Sequence, residues 1–264
     1  MQIHAIPAFE DNYFWLIQPD TQHAEAYVID PGLAEPIYRA LRSHGLTLAG
    51  VLITHHHHDH IDGAAELGQT FKVPIYGPQS TKIPQVTHVV KEHDLLLLRS
   101  LCAHVIEIPG HTRDHIGYFI PDDQSATASQ PPLLFCGDTL FAAGCGRLFD
   151  GSAEQLFQSL QRITTLPEHT LIYCAHEYTL SNLRFALHIE PDNAALIGRR
   201  TAVMNTRELN LPSIPNSLAL EKQTNPFLRC HLRHVHRRVE QLTGLTVKTE
   251  LEVFTLLRRL KDHF

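Results

Sequence analysis

Leu52-Ile53-Thr54-His55-His56-His57-His58-Asp59-His60, with Gly63-Ala64-Ala65 just beyond it, joins an apolar run to four imidazoles, one carboxylate and a fifth imidazole. A strand that ends in a turn sends alternate side chains to the same side. His55 and His57 should therefore point together, while Asp59 and His60, at the start of a helix, reach a neighbouring point. Imidazole and carboxylate are ordinary metal ligands, so this spacing predicts two adjacent metal positions. A run of four histidines alone would equally suit a His-rich surface loop. The buried strand before it and Asp59-His60 after it argue for the pocket.

Around this stretch the first half of the chain reads as short strands with helices between them. Residues 12–17, 24–30 and 49–54 are apolar and β-prone, each closed by polar or turn residues. Leu33, Ile37, Ala40 and Leu41 repeat with helical spacing between the second and third of these. Strand-like segments recur at 73–76, 86–90, 95–98, 105–109, 115–120 and 133–136. So many short strands broken by helices predict an α/β fold of two packed sheets with helices outside. Residues 124–132, biased to Ser, Ala, Gln and Pro, read as a surface loop. Ser152 with Gln155 fits a capping box that opens a helix with Leu156, Leu160 and Ile163 on one face. A last strand is expected at 170–174. From Tyr178 onward the pattern is helical, with Leu180, Leu183 and Leu187 in one segment and Val253, Leu256, Leu257 and Leu260 in the last. A domain boundary is accordingly expected near residue 175, dividing residues 1–174 from a helical domain at 175–264.

The run Thr54-His55-x-His57-x-Asp59-His60 resembles the T-H-x-H-x-D-H signature of the metallo-β-lactamase superfamily, with His56 and His58 in the x positions. Three later segments, each at a strand end, resemble further motifs of that group: Pro109-Gly110-His111-Thr112, Gly137-Asp138-Thr139-Leu140-Phe141 and His176-Glu177-Tyr178-Thr179. The resemblance implies a metallo-β-lactamase-type αββα sandwich with a C-terminal helical domain. It also implies that His55, His57 and His111 bind one metal and Asp59, His60 and His176 another, with Asp138 bridging. Asp59 and Asp138 would then be catalytic together with a hydroxide shared by two divalent ions, zinc first, with iron or manganese possible because no thiolate selects among them. Asp30, closing a strand before Pro31-Gly32, would orient a ligand histidine; a simple strand-ending turn explains it equally well.

The chain closes with Leu257-Arg258-Arg259-Leu260-Lys261-Asp262-His263-Phe264, which resembles the glyoxalase II (hydroxyacylglutathione hydrolase) ending R-x-E-K-D-x-F, preceded by N-P-F at Asn225-Pro226-Phe227. Gly144-Cys145-Gly146-Arg147-Leu148-Phe149-Asp150-Gly151 is similar to the same family's G-C-G-[KR]-x-x-[DE]-G loop. The resemblance implies hydrolysis of S-(2-hydroxyacyl)glutathione, S-D-lactoylglutathione in the first instance, with Arg147, Tyr178, Arg258 and Lys261 binding the glutathione part. Without it, Arg258 and Lys261 read as two solvated cations near a helix C-terminus, where the dipole favours them. Phe149 stands where some relatives have Tyr, and Leu260 replaces the usual Glu. Rival readings are a glutathione persulfide dioxygenase with one iron and a non-catalytic metal-binding protein that uses the His run as a sponge.

Composition narrows the classes further. At 264 residues and 43% hydrophobic the chain can bury a real core. A net charge of -6 offers no global basic field for nucleic acid. No apolar run approaches the roughly 20 residues of a membrane helix. Met1-Gln2-Ile3-His4 has neither the basic start nor the apolar stretch of a signal peptide. A cytoplasmic monomer acting on a small glutathione thioester, with no membrane or nucleic-acid partner, is the expectation. The five cysteines form no C-x-x-C pair, which argues against a disulfide framework and a zinc ribbon. Most of the 20 histidines, His23, His44, His88 and His93 among them, sit in polar stretches where a solvated ring is the default.

Overall fold

A computed structural model describes residues 1–122 and 130–264, so most of the loop expected at 124–132 lies outside the described residues. Two compact units emerge, Met1–Glu107 with Asp114–Gly137, and Ile108–Arg113 with Asp138–Phe264.

In the first unit β1 (Gln2–Ala8), β2 (Asn12–Gln18), β3 (Glu25–Ile29), β4 (Thr47–Leu52), β5 (Ile75–Gly77) and β6 (His88–Val89) form one sheet in chain order. The first three pair antiparallel, and β3 to β6 run parallel. A parallel pair needs a crossover. Between β3 and β4 it is α1 (Ala34–His44), which buries Ile37, Ala40 and Leu41; Leu33, expected on that face, is the residue before the helix and is exposed. Between β4 and β5 come the short α2 (His58–Ile61) and α3 (Ala64–Phe71). Leu16, Val28, Ile37, Val51, Ile53 and Leu67 are fully buried in the core of this layer.

The strands β7 (Leu95–Leu98), β8 (Leu101–Glu107), β9 (Ile116–Ile120) and β10 (Leu133–Gly137) pair antiparallel in a second sheet. Tyr118 of β9 donates its buried hydroxyl to the Ile53 carbonyl at 2.8 Å, tying this sheet to the strand that leads into the histidine run. Two strands of this unit differ most from the sequence expectation. β1 is not visible there because Pro7 and the lack of apolar alternation conceal it, and an edge strand tolerates both. β8 starts at Leu101 and stops before Ile108-Pro109-Gly110, since proline has no N–H for a ladder.

The second unit carries a hairpin of β11 (Leu140–Phe141) and β12 (Gly144–Cys145). α4 (Ala153–Thr164) opens on the expected capping box: Ser152 Oγ accepts from the Gln155 backbone N–H at 3.1 Å, and Gln155 Oε1 accepts from that of Ser152 at 3.0 Å. β13 (Leu171–Cys174) pairs with β14 (Asn216–Ser217). The chain is then mainly helical, through α5 (Thr179–Ile189), α6 (Ala194–Glu208), α7 (Leu218–Thr224), α8 (Arg233–Thr243) and α9 (Glu250–Asp262). No described helix is long and apolar enough to cross a membrane.

Candidate metal centre

The first unit gathers four of the expected ligands, His55, His57, Asp59 and His60, just beyond the carboxyl end of β4, the end at which open parallel sheets carry their sites. The turn is held by Asp30, which follows β3. Its two carboxylate oxygens accept from the Thr54 backbone N–H and hydroxyl, each at 2.7 Å. Asp30 has φ 52°, a left-handed conformation that is costly outside glycine. Asp30 Oδ2 also lies 3.1 Å from His60 Nδ1, with both side chains almost free of solvent. With Nδ1 turned to Asp30, His60 presents Nε2 to Asp59 Oδ2 at 3.4 Å. Asn12 Nδ2 donates to that same oxygen at 2.9 Å. Gly32 is required beneath it, because a Cβ there would meet the Asp59 carbonyl oxygen at 2.0 Å. His55 Nε2 and His57 Nδ1 stand 3.1 Å apart, and His115, buried, stacks on the His55 ring at 4.6 Å.

The second unit gathers the other three. His111 Nε2 lies 3.4 Å from Asp138 Oδ2, and His176 Nε2 lies 3.4 Å from Asp138 Oδ1, so each oxygen of one buried carboxylate faces its own histidine. His111 donates from Nδ1 to the Arg147 carbonyl at 2.8 Å, which fixes the tautomer and leaves the Nε2 lone pair towards Asp138. Gly146 makes this approach possible: a Cβ there would meet the Asp138 carbonyl oxygen at 2.1 Å and His111 Nδ1 at 2.9 Å. His176 stacks on Tyr178 with ring centroids 4.7 Å apart and planes 3° from parallel, and Phe141 packs edge-on against both.

These donors fit metal ions. Nitrogen and oxygen lone pairs that face one another at 3.1 to 3.4 Å need a proton or a cation between them. Among the described residues no cysteine belongs to a group of side chains placed to share a metal ion.

The residues expected to hold substrate differ sharply in setting. Arg147 is 69% exposed, with Nε 3.9 Å from Asp262 Oδ1. Lys261 is half-buried, its ammonium over the rings of Phe185 and Phe264. Burial first, and then the guanidiniums of Arg258, Arg147 and Arg184, hold it below the usual lysine pKa. That crowd of cations favours an anion. Arg258, three residues back, is 3% exposed. Its Nη1 donates to the carbonyls of Cys145 at 2.8 Å and Gly146 at 3.4 Å, and its Nη2 to Asp262 at 3.0 Å. The guanidinium therefore ties α9 to the loop whose next carbonyl holds His111. Phe149 is 64% exposed and meets the His111 ring edge to face at 5.1 Å. The sequence pattern missed Asn12 and His115. Asn12 has no ligand spacing to reveal it, whereas His115, four residues after His111, was within reach.

With the geometry in place, comparison with known proteins is direct. Residues 177–264 match the family model described as hydroxyacylglutathione hydrolase C-terminus, and residues 9–176 match that of the metallo-beta-lactamase superfamily. The chain is similar to the hydroxyacylglutathione hydrolase of Pseudomonas aeruginosa (strain LESB58), 45% identical over 265 residues and covering 100% of both chains. Among solved structures it is similar to ETHE1 from Myxococcus xanthus, with a TM-score of 0.66 and 25% identity over 98% of this chain and 91% of that one. It also resembles TTHA1623 in a di-iron-bound form, with a TM-score of 0.59 and 22% identity over 86% of this chain and 100% of that one.

Proposed function

The chain belongs to the hydroxyacylglutathione hydrolase family of the metallo-β-lactamase superfamily, and on that premise we propose that it hydrolyses S-(2-hydroxyacyl)glutathione, with S-D-lactoylglutathione first, to glutathione and a 2-hydroxy acid such as D-lactate, the second step of methylglyoxal detoxification. The observation that carries this is Asp138, with a histidine nitrogen facing each of its oxygens, in a chain whose last 88 residues match the family's own C-terminal model.

The His and Asp clusters and the fold support a binuclear metal site. His55, His57 and His111 would hold one ion and Asp59, His60 and His176 the other, with Asp138 shared between them; zinc is the first choice, with iron and manganese as alternatives for an all-N,O donor set. When bound, such ions lower the pKa of water towards about 7 and take up charge on a carbonyl oxygen. The chain's own residues do the rest. Asp30 and the Arg147 carbonyl orient His60 and His111. Arg147, Tyr178 and Lys261 grip the glutathione part and place the thioester carbon, an entropic advantage for the reaction. Arg258 contributes its charge from behind Lys261 and fixes the loop, since its donors already serve Cys145, Gly146 and Asp262. A departing thiolate, whose acid has a pKa near 8.5 for a simple cysteine, needs no strong general acid.

Residues 1–174 form the catalytic domain in this reading and 175–264 the substrate-binding domain. Four buried and one half-buried cysteine, all free, suit a reducing compartment, the cytoplasm, and the chain acts as a monomer. The test is thioester hydrolysis by chelated and then metal-reconstituted protein: activity should vanish and return with about two metals per chain. One iron per chain with oxygen uptake would instead favour the persulfide dioxygenase. Scattered weak sites and no hydrolysis would favour a metal-binding protein.

Lys261→Ala separates substrate binding from chemistry. A partly exposed charge-assisted contact is worth about 1.5 to 3 kcal/mol, so kcat/KM on a glutathione thioester should fall by about one to two orders of magnitude, mainly through KM. A small thioester without the glutathione carboxylates should be hydrolysed equally by both proteins. Equal losses on both substrates would remove Lys261 from the binding site. Arg258→Ala should lower kcat as well, because it frees the carbonyls of the loop beside His111.

A further inference from the structure

The two x positions of the histidine run have opposite characters. His58 is a spacer, its side chain 90% exposed. His56 is 12% exposed, as is Asp114, and its Nδ1 lies 2.8 Å from both Asp114 carboxylate oxygens. Its Nε2 lies 3.0 Å from Lys82 Nζ. A carboxylate offers only lone pairs and an ammonium only protons. Nδ1 must therefore donate and Nε2 accept, which fixes one neutral tautomer and engages both ring nitrogens. The ring thus bridges three segments: the turn after β4, the link between β5 and β6 that carries Lys82, and Asp114 just before β9.

Asp30 bonds Thr54 at the start of the turn and lies 3.1 Å from His60 at its end. His57, between those two residues, precedes α2 without a side-chain capping bond. The His56 ring meets the His57 ring edge to face, 5.2 Å between centroids and 72° between planes. Through that ring contact the bond network on His56 bears directly on His57.

We propose that His56, Asp114 and Lys82 form a clamp that positions His57 and sets how tightly the metal on that turn is held, without any of the three ligating it. This rests on the metal-site assignment made above. His56 and Asp114 are positioning residues, and groups of this kind tune metal affinity by about ten- to a hundredfold.

The experiment compares the full chain with His56→Ala, Asp114→Ala, His56→Asn and His58→Ala, with His57→Ala as the ligand reference. Metal dissociation constants are measured by competition with a chelator, and thermal unfolding is followed on the metal-free proteins. His56→Ala and Asp114→Ala should weaken metal binding about ten- to a hundredfold. His56→Asn, whose amide can still donate to Asp114, should recover most of that loss, and His58→Ala should match wild type. Wild-type affinity in His56→Ala overturns the clamp while leaving the ligand assignment intact. A lower melting temperature with unchanged affinity in the folded variant also overturns it, since the contact would then brace only the fold. If wild type and His57→Ala bind metal equally, the ligand assignment fails and the clamp falls with it.

Discussion

Asp138→Ala is expected to lose both metals and at least about a thousandfold in thioester hydrolysis, while the chain stays folded. Each 1.36 kcal/mol of lost transition-state stabilisation is a factor of ten, and a pair of ions contributes several. Asp138 is 6% exposed and faces a histidine with each oxygen. Without it, the two dications of the proposed centre would lose the negative charge that offsets their repulsion, and each would lose one ligand. The fold has independent support at this point, because Thr139 Oγ1 donates to the Ile108 carbonyl at 3.0 Å and the hairpin that follows is held from α7. Asp138→Asn keeps the shape and one acceptor but not the charge, so it should retain some metal and less activity than that implies. Metal analysis beside the hydrolysis rate and a circular dichroism spectrum checks all three statements. Two tightly bound metals in Asp138→Ala would sink the bridging assignment.

Much of this centre was legible because its signals are local. A strand, a turn and alternate histidines occupy nine consecutive residues, and Pro109-Gly110-His111 and Gly137-Asp138 mark two more strand ends by their glycines. Both glycines have positive φ, 141° and 47°, which only glycine adopts readily, so the motif spelling reports a backbone requirement. The groups that hold the ligands were much less legible. Asn12 reaches Asp59 across 47 residues, and Asp114 reaches His56 across 58, through packing that no periodicity encodes. Arg258 is the clearest case. Three-residue spacing on a helix puts it beside Lys261, as expected, but does not say that Phe227 and the Cys145 and Gly146 carbonyls cover one cation and leave the other half-open. β1 escaped because an edge strand needs only half its hydrogen bonds and little alternation.

Glu221→Ala is expected to destabilise the protein by about 3 to 5 kcal/mol, the range found when one partner of a buried ion pair is removed. Glu221 and Arg199 have side chains 1% and 3% exposed and are paired directly. Glu221 Oε2 also accepts from the Ala143 backbone N–H at 2.8 Å and from Asn225 Nδ2 at 3.2 Å, and Asn225 Nδ2 in turn donates to the Phe141 and Gly144 carbonyls at 3.2 and 2.9 Å. Ala143, at the tip of the hairpin, has φ 55°, a conformation an L-residue keeps only when its surroundings impose it. Alanine at 221 leaves a guanidinium unpaired in the interior and releases that strained tip. The cost is therefore desolvation without compensation rather than the loss of one attractive contact. It follows that Arg199→Met with Glu221→Leu should recover much of the loss, because the double variant buries no charge, whereas the Ala143 N–H remains unsatisfied and prevents full recovery. Urea unfolding of Arg199→Met, Glu221→Leu and the double variant gives the coupling energy directly. A loss below about 1 kcal/mol in Glu221→Ala would be the cost of an exposed pair. The hairpin, with Asp138 two residues before it and Gly146 one residue after it, would then need another explanation for its rigidity.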